Sequence, residues 1–143
     1  MKKQAFGIFT MLGLLLVLGV ASVSAQSKRT LNIPFSFSVG HKTLPAGEYI
    51  VAPRRSDSQN VWLLTTRDGS AKVVFTTGSA RDSQTAEKVK LVFHKYDTQY
   101  FLAQVWTPGN NSGRELRMPL AERRLEKNGI QREPVDVTIS GTN

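Results

Sequence analysis

From Leu31 to Val39 the chain alternates. Leu31, Ile33, Phe35, Phe37 and Val39 are large and apolar, while Asn32, Pro34, Ser36 and Ser38 lie between them. A period of two puts the five apolar side chains on one face of a half-buried strand. Pro34 cannot donate to a ladder, which points to an edge or to one end of the pairing. Gly40 breaks the strand. In Leu44-Pro45-Ala46-Gly47-Glu48-Tyr49, Pro45 presets a turn and Gly47 can take positive φ. The chain is therefore expected to reverse into a second strand, Glu48 to Ala52, followed by a polar loop from Pro53 to Asn60.

A third strand, Val61 to Thr66, and a fourth, Ala71 to Thr77, flank Arg67-Asp68-Gly69-Ser70. Asp-Gly between β-rich runs predicts a two-residue hairpin loop. That loop places Leu64 opposite Val73 and Trp62 opposite Phe75, with Thr65 and Lys72 on the other side. Gly78 to Glu87 is polar and reads as a loop. In the fifth strand, Lys88 to Tyr96, the apolar Val89, Leu91 and Phe93 alternate with Lys88, Lys90 and His94. The sixth runs from Gln99 to Trp106, with Asp97-Thr98 as the turn of a second hairpin whose register is open. Thr107 to Gly113 is a loop, and Pro119 to Gly129 carries the start and stop signals of one helix, with Leu120, Ala121 and Leu125 on one side. Val135, Val137 and Ile139 form a seventh strand. Seven short strands and one late helix predict a mainly β protein, an antiparallel β-sandwich or a small β-barrel.

The amino terminus changes the setting of that domain. Lys2 and Lys3 precede an apolar stretch from Ala5 to Val20, and Val23 and Ala25 occupy the small-residue positions that a signal peptidase reads. Residues 1–25 are expected to be a cleavable signal peptide, and residues 26–143 a single mature β domain, periplasmic or secreted. An uncleaved anchor is the rival reading, but Gly7, Thr10, Gly13 and Gly19 dilute the run. The chain has no cysteine, so apolar burial and backbone pairing must hold the domain without disulfides. Lys2 and Lys3 leave with the leader, so the formal charge of +8 falls by two to +6. The charges are scattered, and Arg54-Arg55 and Arg123-Arg124 are the only adjacent arginine pairs.

Several pieces in order resemble a group of small, uncharacterised exported bacterial β proteins. They are Phe35-Ser-Phe37-Ser-Val39-Gly40, Leu44-Pro45-Ala46-Gly47-Glu-Tyr49, Leu91-Val92-Phe93-His94-Lys-Tyr96, Tyr100-Phe101-Leu102-Ala-Gln104-Val105-Trp106, and Gly113-Arg114-Glu115-Leu116 with Ala121-Glu122-Arg123. The resemblance spans most of the mature chain. It implies a secreted β domain and carries no known activity.

Catalytic chemistry has little support. His41 and His94 stand far apart, with no thiol and no recognised metal-ligand spacing, so no metal and no cofactor is expected. No Gly-x-Ser-x-Gly elbow occurs. Asp68 and Asp97 fall in turns, and Glu122 and Glu126 stand among arginines, where surface pairing explains them. The aromatic set Trp62, Tyr96, Tyr100 and Trp106 is the candidate binding surface, because exposed rings on a sheet could stack on sugars or contact a protein. The sixth strand is apolar on both sides, which a two-sided core also explains. The expectation is a non-enzymatic exported domain with a binding or structural role in the cell envelope or outside the cell. Its partner would be an envelope protein, an acidic polysaccharide or lipid head groups; nucleic acid is not expected, and the membrane is met only through an uncleaved leader. The alternatives are a carrier of a small apolar ligand in a barrel lined by Phe35, Phe37, Phe75 and Phe93, and a secreted hydrolase. The hydrolase would need two carboxylates in a cleft, or a serine bonded to His41 or His94.

Overall fold

The computed structural model describes residues 30–139 apart from 56, 83, 84 and 110; the leader at residues 1–25 and its cleavage point lie outside the described residues. The described chain is mainly β, with ten strands in one mixed sheet that is not closed. The strands are β1 (Thr30–Ile33), β2 (Phe37–Val39), β3 (Lys42–Leu44), β4 (Gly47–Arg55) and β5 (Ser58–Thr66). They continue as β6 (Lys72–Arg81), β7 (Lys90–Tyr96), β8 (Gln99–Trp106), β9 (Ser112–Leu116) and β10 (Glu133–Thr138), with a helix, α1 (Leu120–Lys127), before the last.

Three of the ten strands were not separate elements in the sequence. The first alternating stretch is split at Pro34-Phe35-Ser36: β1 pairs with β4, and β2 runs parallel to β8. Pro34 lacks the amide that a continuous ladder would need there. Its apolar residues are still inside, with Leu31, Ile33, Phe37 and Val39 all buried. β3 follows the Gly40-His41 turn and pairs with β2, and β9 pairs with both β6 and β8. The expected loops also shrink, because β4 and β5 extend towards each other and β6 runs on to Arg81.

The first hairpin has the predicted register, with Leu64 opposite Val73 and Trp62 opposite Phe75. Its turn differs. Only Gly69 has positive φ, and the Gly69 amide bonds the Thr66 carbonyl at 2.9 Å, so the loop is a four-residue one. Asp68 accepts hydrogen bonds from the Ser70 amide at 3.1 Å and hydroxyl at 2.8 Å. Thr66 first, then Ser70, holds its carboxyl down to about 2.

β6 belongs to two groups of strands. Its first half pairs with β5 beside β4 and β1, and its second half pairs with β9 beside β8. Apolar residues from both groups meet in one cluster: Leu31, Tyr49 and Leu64 from β1, β4 and β5, and Leu91, Phe93, Leu102 and Val105 from β7 and β8. Phe93 meets Phe35 and Phe37 edge-on, each pair with centroids 5.2 Å apart.

The second hairpin turns at Asp97-Thr98, as expected, with Asp97 at φ 54° and Tyr96 opposite Gln99. Its open register is settled by a bulge. Phe93 faces Leu102 but Val92 faces Gln104, so Ala103 is an extra residue on β8. The bulge reverses the side-chain alternation beyond it. Leu102 and Val105 therefore share the inner face, while Phe101 and Trp106 share the outer one, a division that strict alternation along β8 does not give. β8 is buried on both sides, as its composition allowed.

Candidate functional site

The outer face of β7 carries His94 and Tyr96, and α1 lies over them. The predicted side of the helix is not the one it buries. Leu120 and Ala121 are exposed, whereas Glu122 is 1% exposed and Leu125 half-buried. Pro119 is the N-cap rather than the first helical residue, the position its fixed φ suits, and offers no side-chain bond. The stop is as read: the amides of Gly129 and Ile130 bond the carbonyls of Glu126 and Leu125.

The buried Glu122 corrects the reading of it as a surface acid. His94 Nδ1 and Glu122 Oε1 are 2.6 Å apart, and the imidazole N–H donates when the carboxyl is ionised. The Tyr96 hydroxyl, on a fully buried ring, faces Glu122 Oε1 at 3.1 Å and Glu126 Oε1 at 2.8 Å. The phenol has one hydrogen to divide between the two carboxyl groups. Glu126 is tied outward to Arg132 at 3.4 Å, in the segment leading into β10, where Lys95 pairs with Glu133 at 3.2 Å. Among the described residues, no buried side-chain nitrogen or oxygen lacks a partner.

Burial raises the Tyr96 phenol well above its ordinary value, and the Glu126 hydrogen bond and Glu122 charge add to the effect. Tyr49 is also raised, by burial and then by the charge of Asp68; its hydroxyl donates to the Pro45 carbonyl at 2.6 Å. A phenol raised in the folded state contributes stability that is whole below the unfolded value, near 10.0, and lost as pH climbs through the folded one. Two of the three tyrosines should therefore stay protonated past pH 10.0 and ionise together with unfolding. Phenolate absorbance at 295 nm during an alkaline titration checks this. A smooth titration of all three in the still-folded protein would contradict it.

The four aromatic residues do not assemble on one open face. Trp62 is buried in the main cluster and donates to the Gln59 carbonyl at 3.0 Å. Tyr100 is half-buried on the inner side, stacked on Phe35 at 3.9 Å. Tyr96 lies under the helix. Trp106, buried on the outer face, donates to Gln104 Oε1 at 3.0 Å. Gly113 packs on its ring so closely that a Cβ there would fall 2.6 Å from two indole carbons. Gly113→Ala should cost about 1–3 kcal/mol, read from urea unfolding together with a shift in tryptophan emission. Unchanged stability and emission would mean that the ring is not held there.

The other histidine lies elsewhere. His41 borders an open groove of about 600 Å³ with Arg117, Met118, Pro119, Leu120 and Arg123. No group of three or more His, Asp or Glu able to hold a metal occurs among the described residues, and no helix among them is long and apolar enough to cross a membrane.

Comparison of the chain with protein families, curated proteins and solved structures finds no match. Its chemistry rests on its own geometry.

Signals for the Glu122 site existed in the sequence but were weak. Glu122 and Glu126 are one helical turn apart, and His94 and Tyr96 share a strand face. Nothing local said that these two faces would meet.

Proposed function

We propose that the protein is exported with its leader removed, and that the remainder is a non-catalytic β-sandwich domain with a binding role at the cell envelope. The sandwich reading is supported by the apolar cluster shared between the β1, β4, β5 group and the β7, β8 group. The non-catalytic reading rests on one observation. Where acid–base side chains gather, the central carboxylate is shut off, with Glu122 at 1% exposure and bonded to His94 and Tyr96. A general base must reach a substrate proton, whereas this carboxylate faces only its own fold. It fastens the helix.

The apolar-carrier reading has less behind it. Of the four rings offered as a ligand lining, Phe35 and Phe37 each pack edge-on against Phe93, and the sheet is not closed. The test is a capture experiment: the exported form, immobilised, is exposed to solubilised native envelope, and bound material is analysed by mass spectrometry and glycan analysis. Reproducible enrichment of an envelope component is expected. Cleavage of an envelope polymer by the purified protein, abolished in Glu122→Gln while circular dichroism shows that variant still folded, would reverse the non-catalytic reading.

A further inference from the structure

The groove beside the helix start combines two chemistries. Arg117 and Arg123 stand on its walls with His41, and no carboxylate among the described residues lines it. Between the arginines lie Met118, Pro119 and Leu120, the last 66% exposed, the most exposed of the large apolar side chains described. The acids of the helix do not offset this charge. Glu122 is turned inward onto His94, and Glu126 is held by Tyr96 and Arg132. Arg123 is steadied by the Met118 carbonyl at 3.4 Å. A guanidinium pair suits a phosphate oxygen set, and an exposed leucine beside it suits a hydrocarbon chain. A ligand offering both at once is an anionic amphiphile, and an envelope presents one as a surface.

We propose that this groove docks on anionic lipid, with Arg117 and Arg123 on the headgroup phosphate and Leu120 entering the acyl boundary. The proposal rests on the envelope reading above. Export is checked separately, by sequencing the amino terminus of the native protein and fractionating the cell. Failure there would remove the export reading, whatever the groove binds.

The test is co-sedimentation of the exported form with phosphatidylcholine vesicles, with and without phosphatidylglycerol. Binding is expected only where phosphatidylglycerol is present, and should weaken with salt. Arg117→Glu/Arg123→Glu should lose about tenfold or more in affinity, from the loss of two cationic contacts with the anionic surface. Leu120→Ser should lose several-fold with its salt dependence kept. Arg54→Glu/Arg55→Glu makes the same change in net charge away from the groove and should retain most of the binding. All three variants change exposed residues, and circular dichroism checks their folding. Equal loss in the two double variants would mean that overall charge, not the groove, attracts the vesicles, and would overturn the proposal. Full displacement by soluble glycerol phosphate, with Leu120→Ser unaffected, would reassign the groove to a free phosphate ester. Equal binding to both vesicle types would remove the arginine role.

Discussion

Phe93→Ala is expected to lower the unfolding free energy by about 3–5 kcal/mol, the range for emptying a phenylalanine site in a packed core. The ring is 0% exposed, and two edge-on partners, Phe35 and Phe37, would lose their contact face at once. Phe37 also meets Tyr49 edge-on at 5.3 Å, so a cavity at Phe93 would reach the β4 side of the cluster. Total stability for a domain of this size is on the order of 5–15 kcal/mol, so the variant would sit near the edge of folding. Urea unfolding followed by circular dichroism gives the number directly. A midpoint unchanged from the parent would show that Phe93 does not lie between the two strand groups.

The second large effect belongs to Glu122. Truncation to alanine leaves the His94 N–H without its acceptor and takes away one of the two carboxyl groups at the Tyr96 hydroxyl. A buried polar group stripped of its partner costs about 1–3 kcal/mol, and a cavity at the helix seat adds to it. We expect about 3 kcal/mol for Glu122→Ala and roughly 1 kcal/mol for Glu122→Gln, which keeps the volume and an acceptor oxygen. Hydrogen exchange gives the location: amides of α1 should lose protection in Glu122→Ala while those of β5 keep theirs. Equal, small effects for both substitutions would mean that another contact seats the helix.

Much of the fold was written in alternation and turn residues. Leu31 to Val39 announced which side chains would be buried, and the hairpin at Asp68-Gly69 announced its register. What stayed hidden was non-local. A single proline moved the halves of the first stretch to different neighbours, and the parallel pairing of β2 with β8 has no local signature. The bulge at Ala103 was equally silent, since an extra residue in a strand is visible only against the partner strand. That one residue puts Trp106 on the same face of β8 as Phe101. The helix face was misread for a related reason. Apolar periodicity favoured Leu120 and Ala121, while a complementary histidine and tyrosine on a distant strand rewarded burial of an acid. A buried carboxylate is legible only when its donors are known.

The side-by-side arrangement of β2 and β8 bears on the order of assembly. Hairpin partners can close as soon as their turn is made, but Ser38 must wait for Phe101, which leaves the ribosome much later. Until then Phe37 and Val39 stay uncovered on one side. A chain whose pairing is completed this late keeps apolar surface open for longer during synthesis, which is costly if two such chains meet first.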